Sequence, residues 1–140
     1  MILDIEHTGI AVSDIASAEK DYKDLGYCKL HDGILDDLKR DVQVSFMQKG
    51  ENKIELLAPL YPDKKSPVDK FNALNMGYVM YHLAYRVINL EEAIAYLQSK
   101  GYIQIEKISI SQFMENRREV YMYHSHMGLV ELLEDLPRGE

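Results

Sequence analysis

Four residues offer the clearest chemistry in this sequence: His7, Glu55, His82 and Glu131. Each glutamate interrupts an apolar run, Ile54-Glu55-Leu56-Leu57 or Leu129-Val130-Glu131-Leu132. A carboxylate in such a run needs a cation or a strong donor, because carboxylates are almost never fully buried alone. Each histidine sits in a strand-like run, and a lone histidine there reads as an ordinary core or rim side chain. Two imidazoles and two carboxylates at matched places read as a four-ligand metal site. Imidazole plus carboxylate without thiolate suits Zn, Ni, Co, Fe or Mn, and a six-coordinate ion would keep two positions open to water or substrate oxygens.

The match comes from a duplication. Ile5-Glu6-His7-Thr8-Gly9-Ile10-Ala11-Val12, followed by Asp14, Ile15, Ala18, Tyr22 and Leu25-Gly26-Tyr27, is echoed by Tyr81-His82-Leu83-Ala84-Tyr85-Arg86-Val87, followed by Leu90, Ala93, Tyr96 and Lys100-Gly101-Tyr102. Ile54 to Leu57 is echoed by Val130 to Leu133. His82 lies 75 positions after His7 and Glu131 lies 76 after Glu55, so one unit of about 75 residues occurs twice.

The elements that must position the four residues follow from local pattern. Residues 2 to 12 read as a strand. Asp14 caps a helix whose apolar positions Ile15, Ala18, Tyr22 and Leu25 recur at helical spacing until Gly26. Alternation then gives three strands, Tyr27 to Leu30, Val42 to Phe46 and Lys53 to Leu57, with turns at Asp32-Gly33 and from Lys49 to Asn52. The first module is therefore βαβββ. A proline-punctuated linker follows, in which Ser66-Pro67 starts a short helix through Leu74. The second module repeats the order: strand Tyr78 to Val87, a helix capped by Asn89 with Glu92 three residues on, Gly101 at its end, and strands Tyr102 to Ile108, Glu119 to Tyr123 and Leu129 to Leu133. The expected fold class is α+β, a single domain over residues 1–140, with module one at about 1–58, a linker at about 59–77 and module two at about 78–135.

Composition narrows the function classes. A net charge of −7 argues against nucleic acid or anionic membrane as the main partner. No apolar run approaches the length of a membrane span, and the N-terminus lacks the order of a signal peptide, so a cytoplasmic protein is expected. One cysteine, Cys28, excludes an internal disulfide and a thiolate zinc site, and reads as a small buried hydrophobe. Two basic clusters, Lys64-Lys65 with Lys70 and Arg117-Arg118, are candidates for holding a small anion. His31, His124 and His126 have no counterpart in the other copy and read as surface or rim residues.

These residues resemble the vicinal oxygen chelate (glyoxalase and bleomycin-resistance) superfamily, and within it the methylmalonyl-CoA epimerase-like branch. The resemblance spans about residues 5 to 134. It rests on His7-Thr8-Gly9-Ile10-Ala11-Val12, on Lys53 to Leu60 followed by Ser66-Pro67-Val68 and Lys70-Phe71, on His82 to Val87, and on Leu129 to Leu132. It implies paired βαβββ modules forming a cupped mixed sheet around one divalent ion, with His7, Glu55, His82 and Glu131 as ligands and a homodimer as the assembly. Three departures stand out. The loop before the last strand is His124-Ser125-His126-Met127-Gly128, without the Pro-Lys of such epimerases. Val44 stands where some members place a second glutamate base. Glu55 stands where some epimerases have Gln, which gives the His/Glu/His/Glu set of glyoxalase I enzymes.

The resemblance implies removal of a proton from carbon next to a carbonyl, with Glu131 as base and Glu55 as its counterpart on the other face of a planar intermediate. A metal-dependent epimerase of a malonyl-type acyl thioester is the leading expectation, with Arg117, Arg118 and the Lys64-Lys65 loop holding substrate carboxylate or phosphates. A glyoxalase I-type lactoylglutathione lyase acting on a hemithioacetal is the alternative. A non-catalytic small-molecule binding protein is the third.

Overall fold

The computed structural model describes residues 2–61 and 78–136. The Ser66-Pro67 helix start, the Lys64-Lys65 and Lys70 cluster, and the rest of the expected linker helix lie outside them. The order of elements is β1 (Ile2–Val12), α1 (Ile15–Asp24), β2 (Cys28–Lys29), β3 (Leu35–Asp37), β4 (Val42–Lys49), β5 (Asn52–Pro59), β6 (Tyr78–Val87), α2 (Leu90–Ser99), β7 (Ile103–Gln104), β8 (Ser109–Ser111), β9 (Arg117–His124) and β10 (Gly128–Glu134). This is the α+β class of the duplicated module, with one short strand in each copy, β3 and β8, beyond those the sequence pattern predicts. Among the described residues no helix is long and apolar enough to cross a membrane.

The described chain forms two compact units, residues 7–61 with 78–81, and residues 2–6 with 82–136. The boundary does not follow the repeat at the N-terminus. Ile2 packs against the apolar core of the second module, and Asp4 pairs with Arg86 at 2.6 Å. The first half of β1 therefore belongs with module two.

In the first unit β5 pairs parallel with β1 and antiparallel with β4, which in turn carries β2 and β3. Ile15 of α1 packs on Val12, Met47, Ile54, Leu56 and Ala58, one face of this sheet. Burying side chains of this size stabilises by about 1.5–3 kcal/mol each. Asp14 starts α1 by accepting the Ser17 N–H at 3.1 Å, and the helix is tied to the sheet by Glu19, which accepts from Ser45 Oγ at 2.6 Å and pairs with Lys29 at 2.7 Å. Burial alone would raise the Glu19 carboxyl, but the hydrogen bonds from Lys29 and Ser45 hold it below its ordinary value. Cys28 is exposed on the two-residue strand β2, contrary to the buried position its residue type suggests. Leu25 is exposed as well, since α1 ends one residue before it.

The second unit repeats the plan. β10 pairs parallel with β6 and antiparallel with β9, which carries β7 and β8. Leu90, Ala93, Ile94 and Leu97 of α2 pack on Val87, Val120, Met122, Val130 and Leu132. Asn89 caps α2 by accepting the Glu92 N–H at 2.9 Å. Both helices end in the same way. Gly26 and Gly101 adopt φ of 97° and 94°, and the residues after them, Tyr27 and Tyr102, donate back to Tyr22 and Leu97. A glycine accepts that left-handed conformation without steric cost.

Candidate functional site

In each unit the sheet face turned away from the helix carries the buried histidine and glutamate. Alternation along a strand fixes which side chains share that face. In the first unit Gly9 lies opposite Glu55 in the parallel pairing, and Phe46 lies opposite Glu55 in the antiparallel one. His7, Glu55 and Phe46 therefore share a face, while Ile54 and Leu56 turn to α1. His7 and Glu55 are 1% and 6% exposed, and His7 Nε2 lies 3.4 Å from Glu55 Oε1. Phe46 sets its ring edge-on to His7, and its N–H donates to His31 Nε2 at 2.9 Å. His31 thus supports the wall beside His7, the rim position expected of it.

The second unit has the same geometry. Ala84 lies opposite Glu131 in the parallel pairing, and Tyr121 lies opposite Glu131 in the antiparallel one. His82 and Glu131 are 2% and 1% exposed, and His82 Nε2 lies 4.0 Å from Glu131 Oε1. Tyr121 fills the place that Phe46 has in the first unit, and its hydroxyl lies 3.4 Å from His82 Nδ1. In the tautomer that leaves the Nε2 lone pair available to a ligand, Nδ1–H donates to that hydroxyl. In both units the histidine sits two residues before the position opposite the glutamate.

These spacings suit a shared ion within each pair. Metal bonds to imidazole nitrogen and carboxylate oxygen are about 2.1 Å long, so two donors on one ion stand at most about 4.2 Å apart. Both pairs meet that limit, and their donors are of the type that holds a borderline divalent metal.

The two arginines are placed differently from the four ligand candidates. Arg118 alternates onto the helix side of β9, where it pairs with Glu91 of α2 at 2.6 Å and with Glu134 at 2.7 Å. The Arg118 guanidinium holds the Glu91 carboxyl down at about 2 and Glu134 below its ordinary value. Arg117 shares the face of Tyr121 and Glu131, at the far end of β9, where it donates to the Glu134 carbonyl at 2.9 Å and faces Glu6 and Asp135 at 3.6 Å. His124 lies against Tyr102 with ring centroids 4.7 Å apart, and accepts the His126 N–H at 3.1 Å through Nδ1.

Two buried carboxylates on these faces were not singled out from the sequence. Asp37 lies opposite Val42 on the Glu55 face, 6% exposed, with Oδ1 accepting from the backbone N–H groups of Lys39 and Arg40. Burial raises its carboxyl above the ordinary value, against the pull of Arg40. Glu119 lies on the Glu131 face, 4% exposed. The sequence signal for Glu119 is its position in the repeat, 75 residues after Val44.

Comparison with known proteins agrees with this arrangement. Residues 6–133 match the family model described as the glyoxalase/bleomycin resistance protein/dioxygenase superfamily. The chain is 35% identical over 102 residues to the uncharacterized protein YqjC of Bacillus subtilis, covering 72% of this chain and 69% of that one. It is 30% identical over 96 residues to the mitochondrial methylmalonyl-CoA epimerase of Mus musculus, covering 69% of this chain and 52% of the relative, so it spans about half the length of that enzyme. Its fold is similar to that of the methylmalonyl-CoA epimerase of Mycobacterium tuberculosis, with a TM-score of 0.79 and 26% identity over 98% of this chain and 91% of the other. The duplicated module, the register of its histidines and glutamates and the family match agree, and the chain belongs to the glyoxalase/bleomycin resistance protein/dioxygenase superfamily.

Proposed function

We propose that this chain is a metal-dependent isomerase that removes a proton from carbon next to the carbonyl of an acyl thioester, the activity class of the methylmalonyl-CoA epimerases to which it is similar. The observation that carries the reading is the repeated register: Glu55 opposite Gly9 and Glu131 opposite Ala84, each two residues past a buried histidine. We assign His7, Glu55, His82 and Glu131 as ligands of one divalent ion, because their donor atoms and the spacing within each pair suit it. When bound, that ion acts as a Lewis acid toward oxygens on which negative charge develops, a contribution of several kcal/mol.

The rest falls to the chain. Glu131 is the proposed base, 1% exposed and opposite Tyr121 in the strand pair. By its matched register Glu55 is the counterpart carboxylate. Tyr121 fixes the ring of His82. Arg117, on the Glu131 face, is the proposed cation for the substrate's carboxylate or phosphates, while the ion pairs of Arg118 favour a structural role. A homodimer in the cytoplasm completes the proposal.

The test is proton NMR in deuterated buffer of methylmalonyl-CoA with the Co- or Ni-loaded protein. Loss of the α-proton signal with wild type, and its persistence with Glu131→Gln, is the expected result. No exchange with metal confirmed bound would sink the thioester reading. The second reading, a glyoxalase I-type lyase, is favoured by the glutamate at position 55 and by the short β9–β10 turn, where Met127 N–H donates to the His124 carbonyl at 3.2 Å. It predicts thioester formation from methylglyoxal and glutathione or another thiol.

A further inference from the structure

Inverting a carbon centre through a planar intermediate requires a proton carrier on each side of the plane. The second unit supplies a candidate besides Glu131. Along β9, Arg118, Val120 and Met122 turn toward α2, the first through its pair with Glu91 and the other two through the apolar core. Glu119, Tyr121 and Tyr123 therefore share the face on which Tyr121 lies opposite Glu131. Glu119 lies opposite Leu133, which places it diagonal to Glu131 across the strand pair. Diagonal neighbours stand about 7–8 Å apart. Two groups that each approach a planar carbon to about 3–3.5 Å from opposite sides are separated by a similar distance.

The first module shows what this position needs for packing. Val44 lies opposite Leu57 as Glu119 lies opposite Leu133, and Val44 is 1% exposed. An apolar side chain is sufficient there. Glu119, 4% exposed, puts a titratable carboxyl where the first module has only an apolar side chain.

We propose that Glu119 is the second proton carrier of the isomerase reading above, on which this assignment rests, and that it takes this role in place of Glu55, which is left to the ion. Starting from one epimer, the Glu131 carboxylate takes the α-proton and the C–H electron pair passes into the thioester carbonyl, giving the enolate. Protonated Glu119 then delivers its proton to the opposite side of that carbon. Its O–H pair returns to the carboxylate, and the enolate pair closes the new C–H bond. The other epimer runs the same steps in reverse, and exchange with solvent resets both carboxyls.

The experiment uses the full-length Co-loaded protein and the two epimers of methylmalonyl-CoA separately, in deuterated buffer. Wild type should exchange the α-proton of both. Glu119→Gln should keep exchange of one epimer within about threefold and lose at least about 100-fold on the other, and on interconversion, the scale of a lost acid–base group. Its Co affinity and melting temperature should stay at wild-type values, whereas Glu55→Gln should lose Co affinity. Equal exchange of both epimers by Glu119→Gln would overturn the assignment and leave the isomerase reading intact. Equal loss on both, accompanied by weakened Co binding or a lowered melting temperature, would overturn it too. Should Glu119→Gln fail to fold, Glu119→Asp is read by the same split: loss on one epimer supports the role and symmetric behaviour refutes it. Wild type exchanging neither epimer with Co bound would remove the isomerase reading and this assignment together.

Discussion

His7 Nε2 lies 3.4 Å from Glu55 Oε1, with both side chains buried on the face of the first sheet that turns away from α1. An imidazole and a carboxylate so close, and so far from water, suit a shared divalent ion. Glu55→Gln keeps the shape and removes the charge, and His7→Ala removes the nitrogen. Loss of a supporting contact outside the ligand set typically costs 10–100-fold in metal affinity. Loss of a ligand should cost more, so both variants should weaken Co binding by at least about 100-fold in isothermal calorimetry. Wild-type affinity in either would remove that residue from the ligand set.

Tyr121 tests the support of a ligand apart from the ligand itself. Its hydroxyl, 3.4 Å from His82 Nδ1, orients the ring. Phe46 occupies the same register position in the other unit without a hydroxyl, so Tyr121→Phe should fold normally. We expect Co affinity to fall about tenfold with little change in melting temperature, because one supporting hydrogen bond is lost and the packing is kept. An unchanged affinity would mean that the ring of His82 is held by packing alone.

The repeat, both helices and the long strands were legible in the sequence because each has a strong local signature: Asp14 and Asn89 as caps, Gly26 and Gly101 as stops, and alternation along β4, β5, β9 and β10. The short strands β3 and β8 were not. Leu35-Asp36-Asp37 has two residues that disfavour strands, and only its pairing with β4 makes it one. Among the ligand candidates Glu55 and Glu131 stood out because each interrupts an apolar run, and His7 and His82 because they recur at matched places of the repeat. Asp37 and Glu119 were hidden because their chain neighbours, Asp36 and Arg118, are charged, so that each reads as part of a solvated stretch. Their burial is created by strands that pair from elsewhere in the sequence. The ion pairs of Arg118 were hidden for the same reason. Alternation gives its face, but its partners Glu91 and Glu134 are set by how α2 packs on β10.

Acid should loosen α2 through those partners. Glu134 Oε2 accepts the Leu90 N–H at 2.9 Å, one of the amides a helix start leaves without an internal acceptor. Arg118 holds Glu134 below its ordinary value and Glu91 down at about 2. A carboxyl depressed on folding adds stability that is fully present above its unfolded value near 4.5, and that is lost as pH falls toward about 2. Melting temperature should therefore drop across that window. Glu134→Ala should lower it by a few degrees at pH 7, on the scale of about 1 kcal/mol for a lost helix-start acceptor, and should flatten the drop below pH 4.5. A parallel pH profile in the variant would show that other carboxylates control the acid limb.

We propose that residues 1–140 unfold as a single domain. Leu56 and Leu132 are fully buried, each at the centre of one module's apolar cluster, and they stand at matched positions of the repeat. Truncating either to alanine removes comparable contacts and leaves a cavity, at a cost of about 2–5 kcal/mol. In a single cooperative domain either lesion lowers one shared transition, since the intact module cannot persist without the other. Calorimetry of the metal-free protein should then show one endotherm for wild type, Leu56→Ala and Leu132→Ala, shifted down by a similar amount in both variants. Two endotherms, of which each variant moves only one, would show that the modules are independent folding units. The agreement of calorimetric and van't Hoff enthalpies decides between these outcomes where the peaks overlap.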